Sequence, residues 1–327
     1  MLFNKLIIGS LLVIPVLASA NSITETQERL AIQQQVLTYM INEDWTKLDG
    51  IIQDYNNGFP TTSGGTHKLV IAWGGIENLF WEDVSGRSIN DVASKWLKAI
   101  PNSSGARILQ AMAFNVKAVG LRGEGATSTV DPNVWPTYKK LITQEKEFLL
   151  KNKDISDKDV TWYQKMELVA RNLGDKELLY RILEEGSKKY PAYQNIYLEA
   201  MVASLPKWGG SVVEIEKVAR MAASNNKNQT GLSYYSYIWN NAMYDEPELI
   251  SLLKNSQVVS WEDMLQGWQD RYKQYPSTRT LNSILITSCI AHNKETFLKA
   301  DKMVRGEIEP DIWPQGVEYR KCKRTFR

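Results

Sequence analysis

Three stretches of this 327-residue chain are punctuated alike, and that recurrence restricts the fold more than any other feature of it. "AIPNSSGARILQAMA", "KYPAYQNIYLEAMV" and "QYPSTRTLNSILIT" each end one helix-length segment, pass through a bulky residue and Pro101, Pro191 or Pro276, and enter a new segment with an Ala/Leu/Ile face. Proline cannot continue a helix but is tolerated in its first turn, so each run reads as a stop and then a start. Between them, "WYQKMELVARNLG" puts Trp162, Met166, Val169, Ala170 and Leu173 on one face and stops at Gly174; "DKELLYRILEEGSKKYP" follows at once. Hairpins recurring every ~35–40 residues bury their apolar sides only against their neighbours, which is the sequence sign of an α-solenoid. The expected fold class is all-α: an irregular tetratricopeptide-like α-solenoid of antiparallel helix pairs, with a Gly-rich loop insertion near the N-terminus. The tetratricopeptide consensus itself is not matched cleanly.

The chain begins "MLFNKLIIGSLLVIPVLASANS", with Lys5, an apolar run from Leu6 to Leu17, and small residues at Ala18 and Ala20. This is the pattern of a signal peptide cleaved near Ala20, with retention as an uncleaved anchor as the alternative. No later stretch approaches the ~20 apolar residues of a membrane helix, so no membrane span is expected after cleavage. Residues 1–20 are read as the signal peptide and 21–327 as a single periplasmic or secreted domain. Within that domain, 21–56 is an N-terminal helical pair, 57–87 a loop with a small hairpin in "HKLVIAW", 88–305 the helical array, and 306–327 a C-terminal tail. At 43% hydrophobic residues the chain can bury a sizeable core.

Charge excludes one class of partner. With 39 Lys+Arg against 37 Asp+Glu, interspersed, no basic surface is available to track phosphates, and no nucleic acid is expected. The basic tail "EYRKCKRTFR" reads as a solvated end.

Familiar catalytic sets are missing. Two His, His67 and His292, and two Cys leave no metal-ligand set, and no GxSxG elbow accompanies either His, so no metal and no cofactor are expected. Both His read as surface or capping residues. The acid and aromatic residues Trp81, Glu82, Asp83 and Trp261, Glu262, Asp263 suggest an alternative reading, an envelope enzyme or glycan binder, provided that they share one cleft.

Two Gly-rich interruptions are the candidate binding site. In "RGEGATSTV", after a helix that ends at Gly120, Arg122, Gly123, Gly125 and Thr127 precede a helix started by Asp131-Pro132, and their backbone N–H groups could face an anion. In "LPKWGGS", Pro206 ends a helix, Gly209 and Gly210 turn the chain, Ser211 caps the next helix, and Trp208 is left at the crossing, where burial is expected over exposure. The two loops are expected to pack near one another, because glycines not required by helix geometry signal a close approach to the backbone.

Trp96-Leu97 with Pro101, Arg122-Gly123-Glu124-Gly125 with Thr129-Val130, and Leu205–Ser211 resemble the bacterial family catalogued as domain of unknown function 4034, over about Asp44 to Cys322. The resemblance implies a tetratricopeptide-like helical fold and no particular reaction; some exported helical-repeat proteins of this kind resemble immunity- or effector-associated proteins. The expected function is a protein- or ligand-binding or scaffolding module of the cell envelope, not an enzyme, with its partner or small ligand on the concave helical surface. In an exported protein the two cysteines, Cys289 and Cys322, are expected to pair, since the helix between them can fold back on its predecessor.

Overall fold

A computed structural model describes residues 24–80, 85–123, 125, 127–255 and 258–327, and all regular structure among them is helical. The expected signal peptide lies outside these residues, and no described helix is long and apolar enough to cross a membrane.

The chain opens with α1 (Glu25–Ile41), started by reciprocal hydrogen bonds between Thr24 and Gln27, and α2 (Trp45–Asn56), capped by Asp44. The next element corrects the sequence reading. "HKLVIAW" is not a hairpin but the beginning of α3 (Lys68–Asn78), and the one β-type pairing near it is an isolated bridge between Thr61 and His67. Leu69, Ile71, Ala72, Trp73 and Ile76 are all buried, so α3 has apolar residues around most of its circumference. A helix of that kind must be enclosed by its own protein.

The array that encloses it starts with α4 (Arg87–Ala99), α5 (Ser104–Arg122) and α6 (Val134–Lys151), followed by the single turn α7 (Lys153–Ser156). It continues through α8 (Thr161–Leu173), α9 (Lys176–Lys189), α10 (Gln194–Ala203), α11 (Val212–Thr230) and α12 (Ser233–Asp245). The short α13 (Ile250–Asn255), then α14 (Trp261–Gln274), α15 (Thr278–Ile290), α16 (Lys294–Val304) and α17 (Tyr319–Phe326) complete it. Neighbours in sequence pack together: α4 on α5, α5 on α6, α8 on α9, α11 on α12, α15 on α16. In addition α6, α8, α10, α12 and α14 each touch the next of that series, so alternate helices form one continuous layer.

The punctuation read from sequence is largely realised. Gly174 ends α8 in the left-handed region, Asp175 caps α9, and the Ser211 hydroxyl accepts the Glu214 N–H at the start of α11. Three boundaries differ, the first being that α6 begins at Val134 rather than at Asp131-Pro132. Pro191 stands in the turn ahead of α10 rather than in its first turn, and α5 runs past Gly120 to Arg122, with Gly123 closing it at φ 71°. The tail is not a solvated end: α17 buries Cys322 and Phe326 against Leu281, Leu285 and Phe297, and Cys289 and Cys322 form a disulfide.

α3 lies along the continuous layer. At one end Glu77 takes an ammonium hydrogen bond from Lys165 of α8 at 2.7 Å. At the other, His67 rests its ring 5.1 Å from Tyr193, the residue before α10. Just upstream, the carbonyls of Gly64 and Gly65 accept from Arg271 of α14 at 3.1 and 3.3 Å. α3 itself packs chiefly on α1 and also on α2, and the contacts with Lys165, Tyr193 and Arg271 tie it and the loop that leads into it to α8, the start of α10 and α14.

Candidate functional site

The residues singled out in sequence are explained by local packing. Arg122 is half-buried at the last turn of α5 and donates to the Gly123 carbonyl at 3.0 Å; Gly123, Gly125 and Thr127 are exposed. At the second interruption Pro206–Trp208 make one 3-10 turn and Gly209 reverses the chain at φ 79°. A Cβ on Gly210 would collide with the Ser204 carbonyl, so the close approach signalled by that glycine is made by the chain itself. Tyr138 on α6 lies within electrostatic reach of Arg122 and of Arg171 on α8.

Trp208 is 42% exposed, which overturns the expectation of burial. The tight turn carries the indole out of the crossing and lays it over Arg171, whose guanidinium carbon is 4.9 Å from the ring centroid. Trp208→Ala and Arg122→Ala are each expected to lower the unfolding free energy by about 1 kcal/mol or less in denaturant titrations. A loss above about 2 kcal/mol from either would mean that these residues hold the array together.

Of the acid and aromatic set, Trp81, Glu82 and Asp83 lie outside the described residues. Trp261 is half-buried, Glu262 is exposed in the first turn of α14, and the Asp263 carboxylate pairs with Arg220 at 2.7 Å. His292 sits in the turn between α15 and α16. His67, expected as a surface or capping residue, stands at the N-cap position of α3 without a side-chain capping bond and is 5% exposed. Burial pulls its pKa down to about 4, against the Phe59 and Ala192 carbonyls that favour the charged ring, so it is neutral at pH 7.

His67 leads instead to a cavity that sequence reasoning missed. Between the loop before α3 and helices α10, α12, α14 and α15 lies a space of about 280 Å³, whose lining includes the amides of Gln194, Asn195, Asn240 and Asn241, the guanidinium groups of Arg29, Arg271 and Arg279, and the carboxylate of Asp311. The three guanidinium groups are not equivalent. Arg279 pairs with Glu309 at 2.9 Å and Asp311 at 3.1 Å, and Arg29 faces Glu25 at 3.9 Å. Arg271 has no carboxylate partner among the described residues, although it is only 4% exposed. Its Nη2 holds the Gly64 and Gly65 carbonyls, the rings of Tyr237 and Tyr275 lie 4.6 and 5.4 Å from its guanidinium carbon, and Nη1 has no hydrogen-bond partner. Trp268 Nε1, in the same lining, is a second buried donor without a partner.

Leaving a buried charge uncompensated is costly, and buried donors are nearly always satisfied. Two such donors around one polar cavity therefore fit an acceptor supplied from outside the chain. The signal was legible in "MLQGWQDR": Met264, Gly267, Trp268 and Arg271 recur at the spacing of a buried helical face, which places an arginine where an apolar residue belongs.

Compared with known proteins, the chain matches no family model, no curated protein and no solved structure.

Proposed function

We propose that the protein is a non-enzymatic binding module of the cell envelope that holds a small hydrophilic ligand with a carboxylate in the cavity beside Arg271. The observation that carries this reading is the buried guanidinium without a carboxylate partner in a cavity that amide side chains also line. The charge recognises the anion, and the amides suit hydroxyl or amide groups elsewhere on the ligand. A small ligand is favoured over a protein partner because the unpartnered donors lie in a cavity of about 280 Å³ and are buried, out of reach of a protein surface. Export accords with the disulfide and with the leader-like start of the sequence, and the resemblance to domain of unknown function 4034 adds no reaction to this proposal.

Thermal unfolding in the presence of lactate, glutamate, citrate or galacturonate, with galactose as the uncharged control, tests the assignment. At least one carboxylate is expected to raise the melting temperature saturably, while galactose does not. Arg271→Met should weaken that ligand by tenfold or more, about 1.4 kcal/mol. Because Arg271 also holds the loop, Asn240→Ile provides a second variant that removes an amide from the cavity and narrows it without touching the Gly64 and Gly65 carbonyls. If none of the carboxylates stabilises the protein, or if both variants bind as the parent does, the proposal is wrong.

A further inference from the structure

A second cavity, of about 290 Å³, opens between α3, α4, α5, α6 and α8, with apolar walls that include Phe80, Ile89, Met112, Val116 and Leu168. Its polar lining is sparse and unevenly charged. Glu145 of α6 is fully buried; its Oε2 accepts from the Asn115 amide at 3.1 Å and its Oε1 has no hydrogen-bond partner. Lys165 of α8, the ammonium in the same lining, is already engaged by Glu77 of α3 at 2.7 Å. The ammonium is therefore held by Glu77, whose side chain is 39% exposed, while Glu145 is enclosed without a cation of its own. A further cation would match Glu145 once it ionises, and it would have to arrive on an apolar body to fit the walls.

We infer that this cavity is a binding site for an amphiphilic amine, with the alkyl chain on the apolar walls and the ammonium donating to Oε1 of Glu145. An alkyl carboxylate would bring a third acid into the enclosure, and an alcohol would leave the charge unmatched. The site is separate from the cavity beside Arg271, and its occupancy does not depend on that proposal.

The pH dependence has a definite sign. The groups that face Glu145 are Asn115 from α5, Lys165 from α8, Glu77 from α3 and Glu199 from α10 beyond that ammonium, and Tyr138 on its own helix. Burial dominates over the Asn115 hydrogen bond and the Lys165 charge and pushes the carboxyl up to about 8. An alkyl ammonium, like that of lysine, keeps its proton to about pH 10.4. Binding should therefore tighten as Glu145 ionises.

Calorimetric titration of the full-length protein with octylamine, octanoate and octanol, at pH 6.5 and 8.5, decides the matter. Octylamine is expected to bind saturably, about tenfold tighter at the higher pH, and more tightly than either control. Glu145→Gln, a neutral isostere, should bind octylamine at least tenfold more weakly and without the pH dependence. Val116→Trp should abolish binding by filling the cavity while Glu145 remains, which separates this site from detergent-like adsorption. No binding, equal binding of octanoate or octanol, or octylamine binding unchanged in Glu145→Gln would each overturn the inference.

Discussion

The free energy of unfolding is expected to fall steadily as pH rises from 6.5 to 8, and Glu145→Gln is expected to flatten that fall. The cause is a set of acids that the array encloses. Glu145 and Glu167 are fully buried and Asp159 nearly so. Burial pushes Glu145 up to about 8 and Asp159 up to about 6, and raises Glu167 strongly, with Glu199 adding to the last. An acid whose pKa is higher in the folded than in the unfolded chain binds a proton in the native state alone across the interval between the two values. Its stabilising contribution is complete below the unfolded pKa and is lost as pH climbs to the folded one. For Glu145 that interval runs from 4.5 to about 8 and corresponds to on the order of 5 kcal/mol, of which about 2 kcal/mol falls above pH 6.5. His67 works the other way. Its folded pKa of about 4 lies below the model value of 6.5, so its effect is a rise in stability with pH that is over by about pH 6.5. Above that pH the decline due to Glu145 is not opposed by His67. Urea titrations at half-unit steps of pH measure it, and parallel curves for the parent and Glu145→Gln would show that another group is responsible.

How much of this could be read in advance depended on where the information sits along the chain. Caps and turns are local, so Gly174, Asp175 and Ser211 disclosed their helix ends, and the two cysteines disclosed their pairing through the single helix between them. α3 did not, for two reasons. Its run "LVIAWGGI" has β-branched residues, paired glycines and little amphipathic contrast, so neither the helical nor the strand period stands out. Its environment is also assembled from remote parts: the contact of Arg271 with Gly64 and Gly65 spans 207 and 206 residues. The buried acids were partly legible. Tyr138, Leu141, Ile142, Glu145 and Leu149 recur at the spacing of one helical face, so Glu145 already stood among apolar neighbours in the sequence, yet a glutamate in a helix is ordinarily taken for a solvated position. Sequence reasoning looked for sites where glycine broke the helices, and one of those glycines, Gly123, does line the second cavity together with Gly120. What it missed is that both cavities also lie where charged residues, Arg271 and Glu145, interrupt buried faces.

Removing the disulfide is expected to release the C-terminal cap before the rest of the array. Cys289 and Cys322, 33 residues apart with Cα atoms at 5.7 Å, close a loop whose constraint is worth about 3–4 kcal/mol on the chain-entropy model. The segment it anchors has little helical stability of its own, because α17 has only eight residues and short helices are marginal in water. What holds α17 besides the bridge is modest. Phe326 packs against Phe297 with ring centroids 5.0 Å apart, and Lys323 pairs with Asp301 at 3.0 Å with its side chain 34% exposed, so the ion pair adds little. These contacts belong to a small apolar cluster that meets the main core through the partly buried Trp313 and Val317, so the cap can open locally as a separate step. In Cys289→Ser/Cys322→Ser, trypsin should cut at Lys321, Lys323 or Arg324 well before it attacks the array, whereas the bridged protein should resist at these sites. The parent, exported through an oxidising compartment and then denatured without reductant, should present no titratable thiol; two per chain would show that the bridge does not form. If the thiols are paired but the double variant resists trypsin as well as the parent does, the cap is held by packing around Phe326 alone, and the bridge contributes only through the unfolded chain.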